Sequence, residues 1–250
     1  MIWILRVELR LLESVVFRRF SGLAARAILY WLVGGRHHDS PGPKPLSASP
    51  LLRGGKPLLR GSRVEAGEVV SARFAVLGEY VGEAVAKLSE VKVEGARAEA
   101  VKAEAWPLKV GGDPPPRFTL RFLTPVRFKR GRVFDVMPAP HNLALSAGLH
   151  AARALGPSSQ EVLGFSATEG LVRRVAAWAY GYVAVAKASL RTAVVYADGA
   201  SQVGAVGWAT YEVKGKRRAR HFWALVQYGA AVGFGDGKTY GLGYAELSSG

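Results

Sequence analysis

Strand-like and helix-like periodicities alternate in the same order twice along these 250 residues, and that order constrains the fold more than any single motif does. Trp3, Leu5, Val7, Leu9 and Leu11 alternate with Ile4, Arg6, Glu8 and Arg10, the two-residue period of a half-buried strand. Phe20, Leu23, Ala24, Ala27 and Trp31 then fall at helical spacing. Arg19, Arg26 and Tyr30 share another face of that helix, with Tyr30 near its end. Residues 34–49, rich in His, Pro, Gly and Ser, read as a loop. A strand over 68–77, a helix over 79–91 and a strand over 96–106 follow. Counting a strand region before the third element, the order is βαββαβ, the ferredoxin-like unit in which two helices cover one face of an antiparallel sheet. Residues 109–116, with Gly111-Gly112 and Pro114-Pro115-Pro116, read as a linker.

The second half repeats the order. Residues 118–128 are strand-like, and a helical region splits into 143–155 and 169–180, with Ser166 and Glu169 spaced as a capping box. Strands over 183–196 and 202–213 meet at Asp198-Gly199, a hairpin signal. A basic helix over 217–231 and a short terminal strand complete the unit. The expected fold class is α+β: tandem ferredoxin-like, RRM-like domains with antiparallel sheets. One spans 1–110 and carries the His-containing loop. The other spans 117–250 and ends in a glycine-rich loop, and the chain is long enough for each to bury a core.

Charge narrows the partner. Thirty-four Lys and Arg against 19 Asp and Glu give a formal charge of +15 and a pI near 10.3, which favours a polyanion, with nucleic acid ahead of a membrane surface. The basic runs 18–19, 127–132, 173–174 and 214–220 are dispersed, as on folded elements rather than a tail. The chain has no cysteine, which removes disulfides and thiolate metal sites. A single Asn and three Gln resemble the amide depletion of heat-adapted proteins. The amino terminus meets Arg6 too soon for a signal peptide, and no apolar run reaches about 18 residues, so a soluble cytoplasmic protein without membrane association is expected.

Residues 233–243 hold five glycines, Gly233, Gly235, Gly237, Gly241 and Gly243, together with Lys238 and Thr239. Such a loop lets backbone approach a ligand and adds a charge and a hydroxyl, which suits phosphate. Two nucleotide readings fail on context. The triphosphatase loop needs a glycine where Val232 stands and a long helix afterwards, and the dinucleotide loop needs a following helix and a distant acid. A ligand-free hairpin turn is the remaining alternative.

Of the five histidines, none pairs at the spacing of a helical zinc motif, so metal-free chemistry without a cofactor is expected. His141, His150 and His221 lie in or beside helical patterns and read as structural. His37 and His38 stand in the loop after Tyr30 and before Lys44. There an imidazole can exchange a proton near neutrality, Lys44 can stabilise charge on a phosphate, and Tyr30 can hydrogen-bond or exchange a proton.

His38-Asp39-Ser40, the run from Lys44 to Leu51, Leu123-Thr124-Pro125-Val126-Arg127-Phe128, Gly204-Ala205-Val206-Gly207-Trp208 and the 233–243 loop, in that order, resemble the CRISPR-associated precursor-RNA-processing endoribonucleases of the RAMP superfamily, archaeal type. The resemblance implies a metal-independent cut within a CRISPR repeat RNA. Attack of the ribose 2′-hydroxyl would leave a 2′,3′-cyclic phosphate or 3′-phosphate and a 5′-hydroxyl. It assigns His38 as the acid on the leaving oxygen, with His37 as runner-up. Tyr30 becomes base or orienting group, helped by a cation such as Arg26, and Lys44 the phosphate-stabilising lysine. The 233–243 amides and Lys238 are implied phosphate contacts, with Arg217, Arg218 and Arg220 as further backbone contacts. Trp208, Tyr240 and Phe234 are candidates for base stacking, though Trp208 reads first as a core residue. The implied partners are precursor CRISPR RNA and other CRISPR-associated proteins, around a monomer or homodimer. A RAMP subunit that binds CRISPR RNA without cutting it, and a general RNA-binding protein, are the competing readings.

Overall fold

A computed structural model of the protein describes residues 1–36, 43–197 and 199–249. In the N-terminal half the strand Ile2–Leu11 sits at the centre of an antiparallel sheet, paired on one side with Val69–Leu77 and on the other with Ala96–Pro107. Its alternation has a use on both faces. Leu5, Val7, Leu9 and Leu11 are fully buried against Ala25, Ile28 and Leu29 of helix α1 (Gly22–Leu32). On the other face Ile2 and Ile4 join the core of the C-terminal half, while Arg6 and Arg10 remain in solvent.

Two details depart from the expected elements. The 34–49 stretch ends in a two-residue strand, Ser47–Ala48, that pairs with Val69–Leu77. The helix expected over 79–91 is three short pieces: single 3-10 turns at Gly78–Tyr80 and Lys87–Glu90 around α2 (Val81–Ala86). Gly78, Gly82 and the β-branched Val81 and Val85 weaken a continuous helix there.

In the C-terminal half four antiparallel strands lie in the order Val183–Ala197, Ala200–Val213, Arg117–Val126, Ala245–Ser249. Ala197 pairs with Ala200 across the expected hairpin, and Gly199 takes φ +76°; Asp198 lies outside the described residues. Helices α3 (Pro140–Ala154), α5 (Glu169–Tyr182) and α6 (Ala219–Val232) share one core with the sheet, where Phe118 stacks on Tyr211 at 5.0 Å between ring centres. A short α4 (Ser159–Leu163) joins α3 to α5.

The cap of α5 is not Ser166. Thr168, in extended backbone immediately before the helix, accepts from the Leu171 amide at 3.2 Å, while the Ser166 hydroxyl turns to Gln160. Nor is α6 a basic surface helix. It starts at Ala219, after Arg217 and Arg218, and ten of its 14 residues are buried, because it lies between the C-terminal sheet and the Ile2–Ile4 end of the other sheet. The strand expected to reach Phe128 stops at Val126, after which Phe128–Arg130 forms a separate hairpin with Val133–Asp135.

Backbone contacts fasten the halves. The Arg73 guanidinium donates to the Ala230 carbonyl at 2.6 Å and lies over the Tyr244 ring. Gly241 meets Pro50 so closely that a Cβ would stand 2.6 Å from the Pro50 nitrogen. His150 of α3 bonds at 3.0 Å to the Lys44 carbonyl and at 2.9 Å to the Tyr228 hydroxyl. Since a carbonyl only accepts, Nε2 carries the proton and Nδ1 accepts from Tyr228. Burial, with the nearby Lys238 ammonium, pulls this imidazole down to about 3, so it is neutral at physiological pH.

Two outcomes follow from these contacts. At Gly243 φ is +65° and a Cβ would collide with the Phe234 carbonyl oxygen, so Gly243→Ala should cost about 3 kcal/mol from left-handed strain and overpacking. A thermal melt should then show a midpoint lower by about 10 °C. The stability that His150 contributes is complete above its unfolded value of 6.5 and is lost as pH falls toward about 3, because the unfolded chain takes up the proton first. Urea unfolding across that window should show a smaller loss of stability on acidification for His150→Gln than for wild type.

Candidate functional site

Where the halves meet, a cleft of about 990 Å3 opens, lined from three directions. Helix α3 supplies one wall through Asn142, Leu145, Ser146, Leu149, His150 and Arg153, which recur at three- and four-residue steps on a single helical face. The 129–131 hairpin turn and Arg173 of α5 extend that wall. Pro43, Lys44 and Leu46 enter from the N-terminal half, and residues 235–240 of the glycine-rich loop close the third side. Among the described residues the lining holds six cationic side chains, Lys44, Lys129, Arg130, Arg153, Arg173 and Lys238, against one carboxylate, Asp236. Asp236 is itself paired with Arg127 at 2.9 Å. The cleft is therefore an electropositive trough suited to a polyanion.

The glycine-rich loop is built chiefly against the protein. The Phe234 and Gly243 amides donate to the Gly243 and Pro125 carbonyls, the Gly235 amide to the Ser146 hydroxyl and the Asp236 amide to the Arg127 carbonyl. A Cβ at Gly235 would strike the Arg127 carbonyl, so that glycine is required by the packing of two backbones. Only at the mouth does the backbone offer donors. The amides of Gly237, Lys238 and Thr239 open a 3-10 turn and donate to nothing among the described residues. Lys238 Nζ is held by the Gly235 carbonyl, and burial pulls its ammonium down to about 8, against the opposing pull of Asp236. It remains largely charged at neutral pH.

Beside the cleft, Lys44 Nζ donates to the Tyr30 hydroxyl at 3.0 Å. Tyr30 is buried in the last turn of α1, and the Arg26 guanidinium lies between its ring and that of Tyr240, 5.5 and 5.7 Å from the two centres. Tyr30, Lys44, Arg26, Lys238, Thr239, Gly235 and Gly237 are thus gathered around one opening. Gly233, Gly241 and Gly243 stand behind it as packing residues. His37 and His38 lie outside the described residues. Arg217, Arg218 and Arg220 are at the opposite end of α6, about 20 Å along the helix axis, where Arg220 pairs with Asp113 at 2.7 Å.

Ser146 and Arg153 carried no assignment from the sequence, and Lys129, Arg130 and Arg173 stood only within charge runs, whereas His150, read as structural, has both ring nitrogens bonded within the protein at the cleft wall. The signal for the first group was present: Asn142, Ser146, His150 and Arg153 form a polar stripe on an otherwise apolar helix. Phe234 is fully buried and unavailable for stacking, Tyr240 lines the cleft, and Trp208 is 38% exposed on the outer face of the sheet rather than in the core.

No helix of the described residues is long and apolar enough to cross a membrane. No curated protein sequence matches the chain. Solved structures do. Thermus thermophilus Cas6 superposes with a TM-score of 0.68 at 19% identity, covering 99% of this chain and 98% of its own. A Cas6-related gene product from Pyrococcus furiosus gives 0.60 at 12%, covering 98% of each. A RAMP protein binding different RNA substrates gives 0.58 at 16%, covering 98% and 99%. These likenesses establish the fold, the tandem ferredoxin-like arrangement of helices and antiparallel sheets. Residues 120–245, the half that ends in the glycine-rich loop, match the family model of the CRISPR-associated endoribonuclease Cas6, and the chain therefore belongs to the Cas6 endoribonuclease family.

Proposed function

We propose that the protein cuts precursor CRISPR RNA within the repeat, by attack of a ribose 2′-hydroxyl on the adjacent phosphorus and without a metal ion. The observation that carries this reading is the meeting of the Tyr30–Lys44 pair and the loop amides in one cationic cleft of a Cas6-family chain. The 2′-oxygen forms a bond to phosphorus as its proton leaves to a base. The bond from phosphorus to the 5′-oxygen breaks, and that oxygen takes a proton from an acid. The products are a 2′,3′-cyclic phosphate and a 5′-hydroxyl, with later opening of the ring giving a 3′-phosphate.

Tyr30 is the base or orienting group. Lys44, 3.0 Å from its hydroxyl, holds the phenol in place and meets the charge that develops on the phosphate. His38 is the acid. It stands five residues before Pro43, itself on the cleft wall, and His37 is the next candidate. The amides of Gly237, Lys238 and Thr239, with the Lys238 ammonium, hold phosphate oxygens, and Arg26 steadies Tyr30 beside Tyr240. Arg217, Arg218 and Arg220 contact a more distant part of the RNA backbone. In this reading the six cations of the cleft's described lining supply the charge neutralisation that the transition state requires. We take 1–110 and 117–250 as the two domains that converge on this RNA.

Purified protein in chelator should cleave repeat RNA once, and a deoxyribose at the nucleotide before the cut should abolish the product while leaving binding intact. His38→Ala should slow cleavage about 100-fold, the scale of an acid-base residue. Unchanged cleavage by that variant would transfer the acid role to His37. Tight repeat binding by wild type with no cleavage would identify a non-catalytic RAMP subunit instead.

A further inference from the structure

A second, smaller groove of about 390 Å3 runs between α3 and α5, and the proposed function does not use it. Its floor is Ala176 and Ala177, which carry no side chain beyond a methyl. At one end stands Tyr180, 77% exposed although it is a large aromatic residue. The His141 ring meets Tyr180 edge to face at 5.4 Å between centres. His141 is in turn held by Arg130, which also donates to the Asn142 side chain at 2.9 Å. Burial first, and then the Arg130 charge, keep the His141 imidazole below its ordinary value, and its ring forms an aromatic corner with Tyr180. At the other end is Arg173, seven residues before Tyr180 on the same helical face, about 10 Å along the axis.

Two of the groove's residues, Leu145 and Arg173, also line the cationic cleft, and Arg130 lines the cleft while holding His141, so the two cavities adjoin across these side chains. A flat aromatic face, an alanine floor and a guanidinium at this separation match the parts of one nucleotide. Such a nucleotide would set its base on Tyr180, its sugar over the alanines and its phosphate at Arg173. The Arg173 side chain is 65% exposed and has Glu169 3.7 Å away; a peptide's apolar side chain would use only the alanine floor, whereas a nucleic-acid strand leaving the cleft brings a phosphate to the exposed guanidinium at every step.

We propose that this groove is a nucleobase-stacking subsite, taking one unpaired nucleotide of the RNA strand as it leaves the cleft. The inference rests on the reading of the cleft as an RNA site and adds to it a place where the strand must be single-stranded. Base stacking on Tyr180 tolerates any base, so the subsite would select unpaired structure rather than sequence.

The test uses the full chain and a repeat RNA with deoxyribose at the cut, so that binding is read without cleavage. Tyr180→Ala should weaken binding about tenfold, the scale of one stacked base, while Tyr180→Phe should bind within twofold of wild type. An abasic nucleotide moved along the RNA should reproduce the loss at one position, and there Tyr180→Ala should cost nothing more. Equal affinity of wild type and Tyr180→Ala, or an additive loss at every abasic position, would overturn the subsite. The first result would leave the groove to a protein partner. Parallel assays with all-ribose RNA keep the two readings separate. Normal cleavage with no effect of Tyr180 removes the subsite alone, whereas Tyr180-dependent binding without cleavage removes the nuclease reading alone.

Discussion

The close fit of the 233–243 backbone against its surroundings is the constraint on which the site depends. At Gly235 and Gly243 there is no room for a methyl group beside the Arg127 and Phe234 carbonyls, and Gly241 lies against Pro50. Close backbone contact makes the loop rigid on one side. It leaves the 237–239 amides without an acceptor among the described residues. Since Tyr240 also touches Arg26, the same loop fixes the distance between α1 and the C-terminal sheet. Loop shape, relative placement of the halves and composition of the cleft are therefore one physical arrangement.

His150 completes it from the other wall. A neutral imidazole with one donor and one acceptor is the group that can connect a hydroxyl on α6 to a carbonyl at Lys44. That bond anchors the chain immediately after the 37–42 segment. The residue following His38 by six positions is thus held by helix α3, and Lys44 is placed against Tyr30 by its own carbonyl as well as by its ammonium. The buried imidazole and the largely charged Lys238 lie in the same neighbourhood, and the ammonium helps to keep the imidazole unprotonated.

Order and periodicity made the fold legible. The strand Ile2–Leu11 and helix α1 fall where a two- or 3.6-residue period places them, because each buries one face, while Gly/Pro and Asp-Gly signals mark the linker and the 183–213 hairpin. Reading failed where local chemistry was ambiguous. Ser166 and Thr168 both suit a helix start, and only the extended backbone at Thr168 decided between them. The arginines before α6 suggested a basic helix, but from Phe222 to Val232 it is apolar nearly all round and is buried in the shared core. Trp208 read as core, and the pleat turned it outward opposite Arg121.

The sequence alone set the chain's net charge and the repeated order of its elements. A charge of +15 and two βαββαβ patterns belong to the chain whatever its tertiary arrangement. It also carried the Tyr30, Lys44 and glycine-loop residues in recognisable motifs. The meeting of those motifs was decided only in three dimensions, since Lys44 and Lys238 stand nearly 200 residues apart and are brought to one cleft by sheet packing. Tertiary structure likewise turned most of the glycines from ligand contacts into packing residues and gave Arg130, Arg153 and Arg173 a common surface. The physical reason is that period and charge act over a few residues, whereas steric fit and electrostatic focusing depend on which distant backbones come within a few ångströms.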